Sequence, residues 1–320
     1  MDDSSQVNKK SYKKWALIVI LAFFLLWPLT IGLYWLAYQG YTAIDAAKFP
    51  WLETTMFQKL KQVGPELSET EKGVLMTTAL SNRLEYELES TFGWSVNDLI
   101  ISPTRYLDNR SSRQRGVIFA TRMLMNFFST NLAKYGTVDT ENEMLKEARE
   151  KHFAFSEDSW WLPSSESEYE KGIELLRQYE NRLSAGEAVY NMRTDDMYNL
   201  LTFITGKELM DQPMGLLVQT NDEVPYTQLD DRIYYTQGVI LVLRDFLRTF
   251  VRLYPEIKEK GGEKNIKIAI RDMEQICTFD PLIVMRGDHD SVMADHRGKV
   301  ARYLISMRER VNDLAQSIRR

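Results

Sequence analysis

The sequence predicts an all-α protein: one N-terminal transmembrane helix, then a periplasmic multi-helix bundle with irregular loops. Three observations predict it. Residues 15–44 carry no charge. Beyond residue 66, apolar side chains recur at helical rather than alternating spacing. Ser-x-x-Glu and Thr-x-x-Glu signals stand just ahead of several of these periodic stretches.

The apolar stretch is residues 15–38, WALIVILAFFLLWPLTIGLYWLAY. A bilayer core needs about 20 such residues in a helix. Thirteen of them are Leu, Ile, Val or Phe, enough to outweigh Pro28, Thr30 and Gly32. Trp15 at one end and Tyr34, Trp35, Tyr38 and Tyr41 at the other make the aromatic belts of the two interfaces. A cleaved signal peptide is the alternative. Its apolar core would run about 7–15 residues before a small-x-small site. Here the core is longer and the flank AYQGYTAIDAA offers a poor site. Lys9, Lys10, Lys13 and Lys14 precede the span and only Lys48 follows closely, so the amino end is expected in the cytoplasm.

The chain then divides into a cytoplasmic tail (1–14), the span (15–38), a connector (39–65) and a helical extracytoplasmic domain (66–320). In the connector, Phe49, Pro50, Trp51 and Leu52 either rest at the membrane interface or pack under the domain. The net charge of −5 gives no field favouring nucleic acid, so no nucleic-acid partner is expected. One cysteine, Cys277, excludes an intrachain disulfide and reads as a buried small hydrophobe. Together with the topology, this suggests a bacterial inner-membrane protein facing the periplasm.

Taken in order, Ser68 and Glu71 form a capping box for a helix carrying Leu75, Ala79, Leu84 and Leu88, which stops near Gly93. A second helix begins around Ser112, repeats through Val117, Ala120 and Leu124, and ends at Gly136. Thr140 and Glu143 form a second box, opening a helix to about His152. Residues 153–163 lack periodicity and hold Phe153, Phe155, Trp160 and Trp161. They read as a loop pinned by aromatics, dividing the domain into two helical halves near 153–164. Ser165 and Glu168 form a third box, for a helix with Tyr169, Ile173, Leu176, Tyr179 and Leu183. The next helix runs from Thr194 to near Gly206.

Residues 210–229, with Pro213, Gly215, Asn221 and Pro225, read as irregular, with a short strand at 216–219. Residues 230–254 are strongly apolar, but Arg244, Asp245, Arg248 and Arg252 rule out a second span. This should be the central helix of the soluble core. A helix at about 263–278 follows. In the last helix, about 291–318, Met293, Val300, Met307 and Leu314 recur every seven residues, with Leu304, Val311 and Ile318 between them. Such a stripe packs along a partner helix, either inside the domain or through self-association.

With a Lys-preceded span, an all-helical remainder, GVILVLRDFLRTF at 238–250 and MADHRGKVARYLISMRERVNDL at 293–314, the chain resembles an uncharacterised family of bacterial inner-membrane proteins. That family is known only as domain of unknown function two-three-three-three. The resemblance implies a proteobacterial envelope protein and carries no catalytic residues.

Two clusters are candidate sites. Asp288, His289, Asp290, Asp295 and His296 combine metal-ligating side chains, and seven residues between the histidines is close to two helical turns. If Asp290 caps the last helix, capping explains most of the cluster instead. Arg105, Arg110, Arg113, Arg115 and Arg122 surround a helix start and could meet phosphate, lipid headgroups or an acidic partner, or form a solvated face. Asp222, Glu223, Asp230 and Asp231 fit no EF-hand, and no phosphate loop or nucleophile elbow is present. The leading expectation is a non-enzymatic interaction or scaffold protein of the cell envelope. It needs no cofactor and has the bilayer and an envelope protein as partners. A metal-dependent or hydrolytic enzyme using residues 288–296 and a lipid- or ligand-binding helical domain are the alternatives.

Overall fold

A computed structural model of the chain describes residues 3–47, 67–134, 140–218, 225–258, 262–281, 283–287 and 291–319. Among these the protein is helical, with no strand and one isolated antiparallel bridge, Arg286 to Asp295.

Helix α1, Asp3–Ala47, runs unbroken through Pro28. Proline has no N–H for the carbonyl one turn back, and nearby the Thr30 hydroxyl donates to the Trp27 carbonyl at 2.7 Å. The stretch Tyr12–Tyr38 is long and apolar enough to cross a membrane, and none of its most apolar window is buried against protein. The connector's aromatic patch at 49–52 lies outside the described residues.

Helix α2, Glu69–Glu89, starts at the expected capping box: Ser68 Oγ accepts from Glu71 N, and Glu71 Oε2 accepts from Ser68 N. Its exit passes through Gly93, whose φ of +59° an L side chain would resist. Helix α3, Asp108–Phe127, continues into a π turn at Phe128–Leu132. Helix α4, Glu143–Glu147, likewise continues as a π turn, Ala148–Phe153. Then come α5 (Ser165–Ser184), α6 (Thr194–Thr205), α7 (Lys207–Val218), α8 (Leu229–Leu253), α9 (Glu263–Cys277) and α10 (His296–Ile318).

Helix α8 is the centre, as its composition predicts. It is buried nearly all round and packs on α2, α3, α7 and α9, most extensively on α3. Burying each Leu, Ile, Val or Phe contributes about 1.5–3 kcal/mol, so this helix anchors the core. One apolar cluster joins side chains from both sides of residues 153–164, including Leu124, Phe153, Leu176 and Phe246. The stripe on α10 is covered from within: Val300, Leu304, Met307, Val311, Leu314 and Ile318 are buried, with α9 and α6 against the helix.

Several local expectations are corrected. The cap of α4 is Asn142, which accepts from Met144 N and Leu145 N; Thr140 is not the cap. The cap of α5 is Ser164, while the Ser165 hydroxyl donates to the carbonyls of Ser156 and Ser159. Asp295 caps α10 by accepting from Gly298 N at 2.8 Å, so the helix starts five residues later than a cap at Asp290 would give. Met293 stands outside it and is exposed. The proposed strand at 216–219 is helical to Val218. Pro213 is tolerated inside α7 because Leu209, Met210, Pro213 and Leu217 share one buried face.

Candidate polar groove

A polar concavity lies between α3, α7 and the start of α8, with a volume of about 800 Å³. Its floor is one stripe of α3: Asp108, Ser112, Arg115, Phe119 and Arg122 repeat at three or four residues. Asp231, Arg232 and Tyr235 of α8 face them, with Gln212 of α7. Arg105 and Glu157 reach in from loops. Four guanidiniums thus meet three carboxylates in one open groove.

The arginines differ in freedom. Arg122 is committed to the loop above it: its Nε donates to the Phe153 carbonyl, and its Nη1 and Nη2 each reach Glu157 Oε2 at 3.2 Å. Arg105 Nη1 donates to the Val96 carbonyl at 2.9 Å and stays largely exposed. Arg115 is exposed on α3. At the acidic end, Ser112 Oγ donates to Asp231 Oδ1 at 2.7 Å across the α3–α8 seam. Partial burial and the neighbouring Asp231 raise the Asp108 carboxyl above its ordinary value. Burial, then Asp108 and Asp231, do the same to Asp230. Such a groove can hold an anionic chain at its arginines and a hydroxyl or amine at its carboxylates.

The structure divides the arginine cluster between the two sides of α3. Arg105, Arg115 and Arg122 line the groove, whereas Arg110 and Arg113 are fully buried behind it. Arg110 Nη2 and Arg113 Nε pair with Glu87 at 3.5 and 3.3 Å. Gln114 donates to Glu87 Oε2 at 3.2 Å and to the Gly93 carbonyl at 2.9 Å, and accepts from Ser95 N and Oγ. Deeper still, Asp245 joins Arg83 at 3.3 Å and Arg244 at 3.2 Å. This charged layer ties α2 and α3 to α8.

Of the Asp/His cluster, Asp288, His289 and Asp290 lie outside the described residues. The other two serve the start of α10. Asp295 is its cap, and His296 Nδ1 accepts from Met285 N at 3.0 Å with its ring edge-on to Phe279. Burial, then Lys299, lowers the His296 pKa, which matches a neutral acceptor ring. Of the acidic loop, Asp222 and Glu223 also lie outside the described residues.

Sequence reasoning missed Glu157, Gln212, Arg232 and Tyr235. A signal existed for part of the groove: Asp108, Ser112, Arg115, Phe119 and Arg122 form a polar stripe opposite the apolar Val117–Ala120–Leu124 face. No such signal foretold which segments would cover that stripe.

No curated protein matches the chain, and no solved structure does. One family model does, over residues 8–210, so the segments at 238–250 and 293–314 lie beyond the match. The matched part includes α1, α2, α3 and the arginine side of the groove, and on that match the chain belongs to the bacterial family described as "Uncharacterized protein conserved in bacteria (DUF2333)".

Proposed function

We propose that the protein is a single-pass envelope protein of the bacterial inner membrane that holds an acidic segment of a partner protein in the α3–α8 groove. In this reading α1 crosses the bilayer with its amino end in the cytoplasm, and the helical domain stands in the periplasm. The Lys residues ahead of the span support that direction.

The observation that carries the binding role is the groove itself. Arg105 and Arg115 are exposed at a concavity of about 800 Å³ whose walls mix polar groups with Phe119, Leu216 and Tyr235. Guanidiniums recognise carboxylates through paired, directional hydrogen bonds. The groove is open to solvent, which suits a reversible interaction better than a sealed reaction chamber.

Chemical crosslinking of the full-length protein in its own membranes, followed by mass spectrometry, tests this reading. A recurrent stoichiometric partner linked near Lys or acidic residues flanking the groove, and lost in Arg115→Glu with unchanged folding, is expected. Links only between copies of the chain would overturn it. Protease added to spheroplasts should remove the domain and spare the amino tail; a protected domain would overturn the orientation.

A further inference from the structure

We propose that two adjoining loops, residues 99–106 and 160–162, seat the domain on the bilayer beside α1. Their apolar side chains enter the interfacial layer of the membrane. The inference rests on α1 spanning the bilayer, and apart from Arg105 it stands on observations the groove does not use.

The loops expose a concentration of large apolar side chains. Ile100 is 76 % exposed, Ile101 66 %, Trp161 68 % and Leu162 83 %, with Leu99, Tyr106 and Trp160 also open. Single exposed apolar residues are ordinary, but a contiguous group on a folded domain marks a contact surface. The two groups stand near each other because the segments just ahead of them are stitched together. Asn97 Nδ2 donates to the Ser159 carbonyl at 2.7 Å, and Trp94 Nε1 donates to the Glu157 carbonyl at 3.0 Å. Inside the first loop the Tyr106 hydroxyl donates to the Ile100 carbonyl at 3.1 Å. The backbone is thereby held while the side chains remain outside.

What covers the surface follows from its position. The 3-10 turn Pro103–Tyr106 packs against α1. Just ahead of this loop, Phe92 sits edge-on to Tyr34 and Tyr38 of α1, with ring centroids 6.3 and 5.6 Å away. Tyr34, Trp35 and Tyr38 are the aromatic belt at the outer end of the span, the level of the lipid headgroups. Loops fixed to that level lie at the depth where Trp and Tyr are favoured, their rings in the apolar boundary and their polar edges in water. Arg105, on the same turn, supplies a cation at headgroup height. The anchor also keeps the loops at the bilayer permanently, so weak insertion suffices, whereas a protein occupant would have to compete with that tethered lipid surface.

Ile100→Cys, Trp161→Cys and Leu25→Cys test this in the full-length protein. Each carries an environment-sensitive fluorophore in vesicles of phosphatidylcholine and phosphatidylglycerol. Nitroxide-bearing lipids then quench at headgroup depth or at mid-chain depth. Labels at positions 100 and 161 are expected to be quenched severalfold more by the shallow nitroxide than by the deep one, and the label at position 25 the reverse. An unquenched label at position 100 or 161, with position 25 quenched from mid-chain, overturns the seating alone. An unquenched label at position 25 overturns the spanning reading beneath it.

Discussion

Gly116 of α3 and Gly238 of α8 stand at one helix crossing, and each leaves room for the backbone of the opposite helix where a side chain would otherwise project. A Cβ on Gly116 would overlap the Tyr235 carbonyl and stand 2.9 Å from Val239 N. A Cβ on Gly238 would overlap the Arg113 carbonyl and stand 2.9 Å from Val117 N. The obstacles are backbone atoms, which a rotamer change cannot move. Gly116→Ala and Gly238→Ala are each expected to cost on the order of 3 kcal/mol by prying the two helices apart. In Gly215→Ala the Cβ would meet nothing within 4 Å, so the better helix propensity should be neutral to stabilising by about 1 kcal/mol. Urea denaturation of the three variants gives the comparison, and equal midpoints for all three would refute the close approach.

Glu87 is the hub of the charge layer behind the groove. Burial pushes its carboxyl up, but Arg113, then Arg110 and Arg83, outweigh burial and hold its pKa below the ordinary value. A carboxyl depressed in the folded state contributes stability above its unfolded pKa and loses it as pH falls through the folded one. Glu87→Gln keeps the shape and removes the charge, leaving buried guanidiniums without that carboxylate. The expected cost is about 3–5 kcal/mol near neutral pH, because breaking a buried pair exposes the desolvation of the remaining charge. The loss should shrink as pH falls from neutral through the folded value, where the wild-type carboxyl takes up its proton. A constant difference between variant and wild type across that range would refute the role assigned to Glu87.

These two contacts mark the limit of what the sequence makes legible. Helical spacing located α2, α3, α5, α6, α8, α9 and α10, because each buries one stripe and the stripe is written locally. Caps were less secure: Thr140, Ser165 and Asp290 each resemble a cap, but the backbone chose Asn142, Ser164 and Asp295 once the flanking loops had formed their own bonds. The breakers Pro213 and Gly215 concealed α7, since tertiary burial of Leu209 and Leu217 outweighs one lost hydrogen bond. In the arginine cluster, residue type could not say which side chains face inward. Arg110 and Arg113 are drawn in by Glu87, a partner more than twenty residues away whose approach depends on how α2 crosses α3.

His152 closes the π turn of α4 onto α5. It is buried, and its Nδ1 lies 2.8 Å from Glu168 Oε2. The hydrogen bond from Lys171, then that from His152, lowers the Glu168 pKa. That contribution is therefore present above the unfolded carboxyl pKa and fades as pH falls through the folded value. His152→Ala removes a bond to a charged acceptor and is expected to destabilise by about 1.5–3 kcal/mol. His152→Gln, which can still donate, should recover part of it. Denaturant midpoints of both variants against wild type provide the check; equal losses would mean that packing, and not the bond to Glu168, is what His152 supplies.

Cys277 sits at the end of α9 with no exposed surface, and burial pushes its thiol up to about 11, with Arg244 opposing. The thiolate is the reactive form. Near pH 8 a thiol with that pKa is ionised in roughly one molecule in a thousand, and burial denies reagents even that fraction. The folded full-length protein in mild detergent should therefore leave Cys277 unmodified by a disulfide-exchange reagent over minutes, and yield one thiol per chain once denatured. Helix α9 packs against both α8 and α10, so exposing the thiol requires the core to open. Its labelling rate then reads how often the core opens: Gly238→Ala, which weakens the α3–α8 seam, should raise the rate, and Arg115→Glu, which changes only the groove surface, should not. Rapid modification of the wild type would instead place Cys277 at an accessible and mobile position, contrary to the packing that surrounds it.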